Sequence, residues 1–169
     1  FDKVSSLRSA FQKDGTITAG NASTLSDGAA ALVIASEEKA KSLGAKPIAR
    51  ILCQESFAHQ PEWFTTAPIG AVNKVLEHAR WTKTGVDLFE INEAFAVVTM
   101  VAIRELGLSH DEVNIHGGAC ALGHPIGASG ARIVVSLLNA LAKHDLKKGI
   151  ATLCIGGGEA TAMAIERIH

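Results

Sequence analysis

A histidine set among glycines is the first chemical signal in the chain. The stretch Gly117-Gly118-Ala119-Cys120-Ala121-Leu122-Gly123-His124-Pro125-Ile126-Gly127-Ala128-Ser129-Gly130 holds five glycines in fourteen residues. Glycine allows close backbone approach and positive φ angles that a Cβ forbids, and Pro125 restricts the histidine before it. A glycine-rich loop entering a helix leaves N–H groups free to face an anion or a developing oxyanion. A histidine there can act as base, acid or hydrogen-bond donor near neutral pH. Alone, the stretch is equally a tight connection with an incidental histidine. Two other residues sit at the ends of predicted strands: Asn92 after 86–91, and Cys154 near the end of 149–155, before Gly156-Gly157-Gly158. Histidine, cysteine, asparagine and free glycine amides together suit a reaction with an oxyanion and a proton transfer, such as acyl transfer. A lone cysteine is also a common small core residue. Nucleotide motifs fail on spacing, since neither a G-x-G-x-x-G after the first strand nor a G-x-x-x-x-G-K-[ST] occurs. Cys53, Cys120 and Cys154 lack metal-ligand spacing. No metal site and no bound cofactor are expected.

The elements that must position these residues alternate in type. Strands are predicted at 47–53, 86–91, 113–116, 149–155 and 160–168, and helices at 37–43, 69–80, 93–106 and 128–143. Val4, Leu7 and Phe11 have a weak helical spacing, 17–28 is a small polar loop, and 29–35 reads as a buried run. Asn92 is placed as the N-cap of 93–106. That helix and 128–143 are apolar nearly all round, the pattern of helices buried on several sides. Residues 56–68 form a loop whose Trp63 and Phe64 need an apolar place. The expected fold is α/β, a mixed five-stranded sheet with helices on both faces. Ligands of such sheets sit outside the carboxyl ends of strands, where Asn92, the His124 loop and Cys154 converge.

Bulk properties narrow the function class. A net charge of −1, 5% aromatic residues and no tyrosine argue against a nucleic-acid partner. No run reads as long enough to span a bilayer and no leader is evident, so no membrane partner is expected. Three cysteines point to a reducing compartment, hence a cytoplasmic location, with mitochondria the alternative in a eukaryote. The chain begins with Phe1, which suggests part of a longer protein.

Asn92-Glu93-Ala94-Phe95-Ala96, the stretch from Gly117 through Ala131-Arg132, and Cys154-Ile155-Gly156-Gly157-Gly158 resemble, in order, three signatures of the thiolases. Thr18-Ala19-Gly20-Asn21-Ala22-Ser23 to Asp27-Gly28-Ala29-Ala30 resembles a looser fourth segment. The likeness spans nearly the whole chain and is strongest to the biosynthetic branch, the acetyl-CoA acetyltransferases. It implies two similar α/β halves with buried helices in a middle layer, a layer that the two all-apolar helices would suit. Residues 1–43 would be the tail of the N-terminal domain and 44–169 the C-terminal domain. The implied reaction is condensation of two acetyl-CoA to acetoacetyl-CoA and CoA, or its reverse, in a dimer or tetramer of the complete protein. Carried over, His124 would activate the nucleophilic cysteine and bind the thioester oxyanion, and Asn92 would hold a water in that oxyanion hole. Cys154 would shuttle the α-carbon proton, and the Gly156 amide would bind the second oxyanion. Ala22, Ser23, Leu25, Ala94 and Phe95 would line the pantetheine channel. The family's nucleophile belongs to an N-terminal half whose motif no cysteine here occupies, so this chain alone should be inactive. Cys120 and His116 stand where an aliphatic residue and an asparagine are frequent, and both read as structural. A degradative 3-ketoacyl-CoA thiolase is the alternative, with a non-catalytic CoA-binding or scaffold module for the isolated chain.

Overall fold

The computed structural model describes residues 2–168, so Phe1 lies outside it. The elements are α1 (Glu37–Ser42), β1 (Ala49–Ala58), α2 (Ala67–Ala79), β2 (Leu88–Ile91), α3 (Ala96–Leu106), α4 (Ala119–Leu122), α5 (Ile126–Lys143), β3 (Lys148–Ile155) and β4 (Glu159–Arg167). The strands form one mixed sheet in the order β1-β4-β3-β2. Only β2 and β3 run parallel; β4 lies antiparallel between β3 and β1. The predicted α/β class holds, with four strands where five were expected.

The fifth strand stops for a visible reason. Val113 makes a single parallel bridge to Phe89, and the Asn114 amide donates to the Phe89 carbonyl at 2.9 Å. Asn114 then turns left-handed, with φ 50°, a conformation asparagine tolerates because its short polar side chain bonds locally. Its side chain completes the ladder instead: Oδ1 accepts from Ile91 N and Nδ2 donates to Ile91 O, both at 2.8 Å. An amide side chain stands where a strand would run.

Period-two alternation sends strand residues to two separate cores. Phe89, Ile91, Ile150, Ala160 and Ala162 face the helices α2 and α3, whose Ala71, Val72, Val75, Val98, Ala102 and Leu106 are buried there. Leu88, Ala151 and Ile165 face α5, through Ile133, Leu137, Ala140 and Leu141. The two most apolar helices therefore lie on opposite faces and do not share a layer, which corrects the expectation from their composition. By length and composition α5 could cross a bilayer, counter to the sequence reading; its apolarity is accounted for by the core it packs on the sheet. Residues 29–35 also depart from expectation. They take no regular structure, and Val33 and Ile34 are exposed, because no described strand pairs with them. Near the start only a single turn of 3-10 helix forms, at Val4–Ser6.

Candidate active site

Asn92 follows β2 at the carboxyl edge of the sheet, and its amide donates to the Thr152 carbonyl of β3 at 3.0 Å. It does not cap a helix. Phe95, the N-cap of α3, is extended because Ala22 of segment 21–23 bridges to it. Ser23 N donates to Ala94 O at 3.1 Å, Ala96 N to Asn21 O at 2.8 Å, and Ser23 Oγ to Ala94 O at 2.9 Å. Continuing the same segment, Leu25 bridges to His124, whose amide donates to Thr24 O at 2.9 Å. Tertiary pairing overrides the local capping preference. Ala22, Ser23, Leu25, Ala94 and Phe95 are thus brought together, with His124 on the far side of the same segment.

Freed from capping, Asn92 points to the α5 side with Glu90, two residues before it. Arg132 of α5 donates from Nη2 to Asn92 Oδ1 at 3.3 Å and from Nη1 to Glu90 Oε2 at 3.5 Å. A guanidinium has only donors, so Oδ1 must face it and Nδ2 must face the other way. There it meets His124 Nε2 at 3.5 Å. The opposite ring nitrogen, Nδ1, lies 2.6 Å from Ser129 Oγ, and that hydroxyl donates to the Pro125 carbonyl at 3.0 Å. A serine has one hydroxyl proton. With that proton committed to Pro125, Nδ1 carries the hydrogen and Nε2 keeps its lone pair. Burial first, and then the nearby Arg132 charge, hold the His124 pKa below its ordinary value. The result is a neutral imidazole with a free basic nitrogen, suited to taking a proton.

Glu90 is 2% exposed, and burial raises its pKa to about 7. Arg132 opposes the rise and the Glu93 charge adds to it. Glu93 ties the loops together, accepting from Cys120 N at 3.0 Å and Asn114 Nδ2 at 3.2 Å. Its carboxylate occupies the space a side chain on Gly118 would need. Reading by residue type passed over Glu90, Arg132, Ser129 and Asn114; the available signal was that a serine and an arginine lie five and eight residues past His124 on one apolar helix.

The cysteines differ in setting, and all three are free. Cys120 is pushed up to about 11, first by burial and then by Glu93, so its thiol stays protonated. Cys53 is buried and its thiol donates to Val75 O at 3.6 Å. Cys154 lies one residue before the end of β3 and packs at the margin of the α2 and α3 core; burial raises its pKa. No hydrogen bond joins Cys154 to His124 or Asn92 among the described residues. Beyond it, Gly156 is exposed, a Cβ there would meet nothing within 4 Å, and its N–H makes no backbone hydrogen bond among the described residues. Nothing in this chain's own packing requires glycine at 156, and its amide is free for a ligand. Phe64 meets Phe95 edge to face at 6.3 Å, whereas Trp63 is 59% exposed.

Residues 45–167 match the family model of the thiolase C-terminal domain, and residues 1–38 that of the thiolase N-terminal domain. The chain belongs to the thiolase family. It is 51% identical over 167 residues to the acetyl-CoA acetyltransferase of Allochromatium vinosum, covering 99% of this chain and 42% of that protein. The crystal structure of the Bacillus anthracis acetyl-CoA acetyltransferase superimposes with a TM-score of 0.96 at 47% identity, over 99% of this chain and 42% of that one. Human mitochondrial 3-ketoacyl-CoA thiolase, solved in complex with CoA, gives a TM-score of 0.91 at 38% identity over 98% and 42%. This thiolase chain therefore spans about 42% of the length of the relatives it matches.

Proposed function

We propose that the chain is the C-terminal part of a thiolase that condenses two acetyl-CoA to acetoacetyl-CoA and CoA, or cleaves acetoacetyl-CoA. Residues 1–43 would belong to the N-terminal domain and 44–169 to the C-terminal one. The observation that carries the reading is the His124 Nε2 lone pair facing the Asn92 amide at 3.5 Å, at the carboxyl edge of a thiolase sheet. His124 would take the proton of a nucleophilic cysteine outside this chain and keep it on Nε2, and the thiolate would attack the acetyl thioester as CoA leaves as a thiolate that takes up the Cys154 proton. The Cys154 thiolate would then remove an α-proton from the second acetyl-CoA. The resulting carbanion attacks the acyl-enzyme, and the cysteine thiolate leaves as the new C–C bond closes. The enolate oxygen would be held by His124 and an Asn92-bound water, and the tetrahedral oxyanion by the Gly156 N–H. No metal or cofactor is required, and CoA thioesters are the substrates, along a channel lined by Ala22, Ser23, Leu25, Ala94 and Phe95.

The identities to acetyl-CoA acetyltransferases favour the short-chain reading. The likeness to a mitochondrial 3-ketoacyl-CoA thiolase keeps the degradative alternative as the second one. Comparing kcat/KM of the full-length protein for acetoacetyl-CoA and for a long-chain 3-ketoacyl-CoA separates them. A preference for the long chain would sink the short-chain assignment. Assembly as a dimer or tetramer and a cytoplasmic location, or a mitochondrial one in a eukaryote, complete the proposal.

A further inference from the structure

We propose that His116 and His144 form a surface site for a divalent transition-metal ion, separate from the acyl-transfer site and independent of the function proposed above. His116 ends the segment beside β2, and His144 is the C-cap of α5. Both are exposed. Their Nε2 atoms stand 3.4 Å apart, with ring centres 5.5 Å apart and planes tilted by 40°. That separation is long for a hydrogen bond from an N–H, which prefers about 2.7–3.2 Å. It also needs opposite tautomers on the two rings. It matches another geometry better. Two imidazole nitrogens about 2.0–2.1 Å from one tetrahedral zinc are about 3.4 Å apart, with ring centres about 5.2 Å apart. Neither ring makes another hydrogen bond among the described residues, so both are free to turn.

Among the described residues no group of three or more ligands is gathered, so water would complete the coordination. The hollow beside the pair, about 570 Å³, is lined by Asp111 and Lys143 as well as the two histidines. Asp111 adds negative charge to the hollow's lining, and Lys143 opposes it. Zinc or copper suits paired imidazoles, whereas magnesium prefers oxygen donors. Reading the cysteines for spacing could not find this site, and His116, taken from its family position as structural, is the residue that creates it. An ion here would tie the segment entering the His124 loop to the end of the helix that carries Ser129 and Arg132.

Titrating Zn²⁺ into the full-length protein by calorimetry, for wild type, His116→Asn and His144→Gln, tests the site. Neither residue belongs to the acyl-transfer machinery, so basal activity serves as the folding control. Wild type is expected to bind one ion at this site, and each variant at least about tenfold more weakly, as loss of a direct ligand should exceed an outer-shell change. Affinity should fall as the pH is lowered, because protons compete with the metal for the imidazole lone pairs. Zn²⁺ should also broaden or shift the His116 and His144 imidazole NMR signals, and Mg²⁺ should not. Wild-type affinity in either variant, or unmoved imidazole signals in the wild type, overturns the proposal, including the case in which zinc binds the thiols instead.

Discussion

His124 and Cys154 lie near one another in the chain's logic but in different surroundings, and that difference divides their work. His124 is neutral, held by Ser129 and Pro125 in the form with a free Nε2, and faces Asn92. Cys154 is a thiol whose burial disfavours the thiolate, and it packs against the core under α2 and α3. In the full-length protein, Cys154→Ala is expected to leave acylation of the nucleophile nearly unchanged. Condensation should slow by about 10²–10⁴-fold, the usual contribution of a positioned acid–base group. His124→Ala should impair both half-reactions, because the same imidazole would serve activation and the oxyanion. Trapping labelled acyl-enzyme alongside the overall condensation rate reads both effects. Equal loss of acylation and condensation in Cys154→Ala would make Cys154 a nucleophile or a packing residue, and the division of labour would be wrong.

At the scale of elements, α5 is the part that the sheet and the site share, so its seat on β3 is the most sensitive contact. Gly149, near the start of β3, faces Leu137, and a Cβ there would come within 2.7 Å of Leu137 Cδ1. Leu137 is fully buried, with no free direction to move. Overpacking of this kind costs about 1–3 kcal/mol, against a gain of about 0.5–1 kcal/mol from replacing a strand glycine. Gly149→Ala is therefore expected to lower the denaturant midpoint. An unchanged midpoint would mean that α5 shifts freely on the sheet. The helices α2, α3 and α5 and the four strands were legible because their apolar periods persist for several turns or alternations. What was not legible turned on long-range partners. Asn92 reads locally as a cap, yet residues 21–23 pair with 94–96, keep Phe95 extended and move the helix start to Ala96. Residues 113–116 read as a strand until Asn114 substitutes its side chain for the ladder. That Asn92 and the His124 loop meet was legible from their places at the carboxyl ends of predicted strands, whereas the part of the 21–25 segment in the same site was available only from the family likeness.

The whole molecule carries apolar surface that its own fold does not use. On α3 Met100 is 66% exposed, on α5 Ile126 is 66% exposed, and in the unpaired stretch Val33 and Ile34 are 102% and 70% exposed. Leu25, beside His124, is 87% exposed. Scattered single apolar residues on a surface are ordinary, but their occurrence on two helices, on one extended run and beside a site resembles surfaces that other protein covers. The chain matches about 42% of the length of its relatives, and the remainder of such a protein would supply both cover and nucleophile. The 169-residue chain on its own is therefore expected to self-associate and to show no acetoacetyl-CoA cleavage. Sedimentation at several concentrations, with a thiolysis assay on the same samples, measures both. A well-behaved monomer would mean that these apolar faces need no partner. Turnover by the chain alone would mean that one of Cys53, Cys120 and Cys154 is a nucleophile. Cys154 would then be the one to test, because Cys120 is held protonated by burial and Glu93 and Cys53 is enclosed by the core.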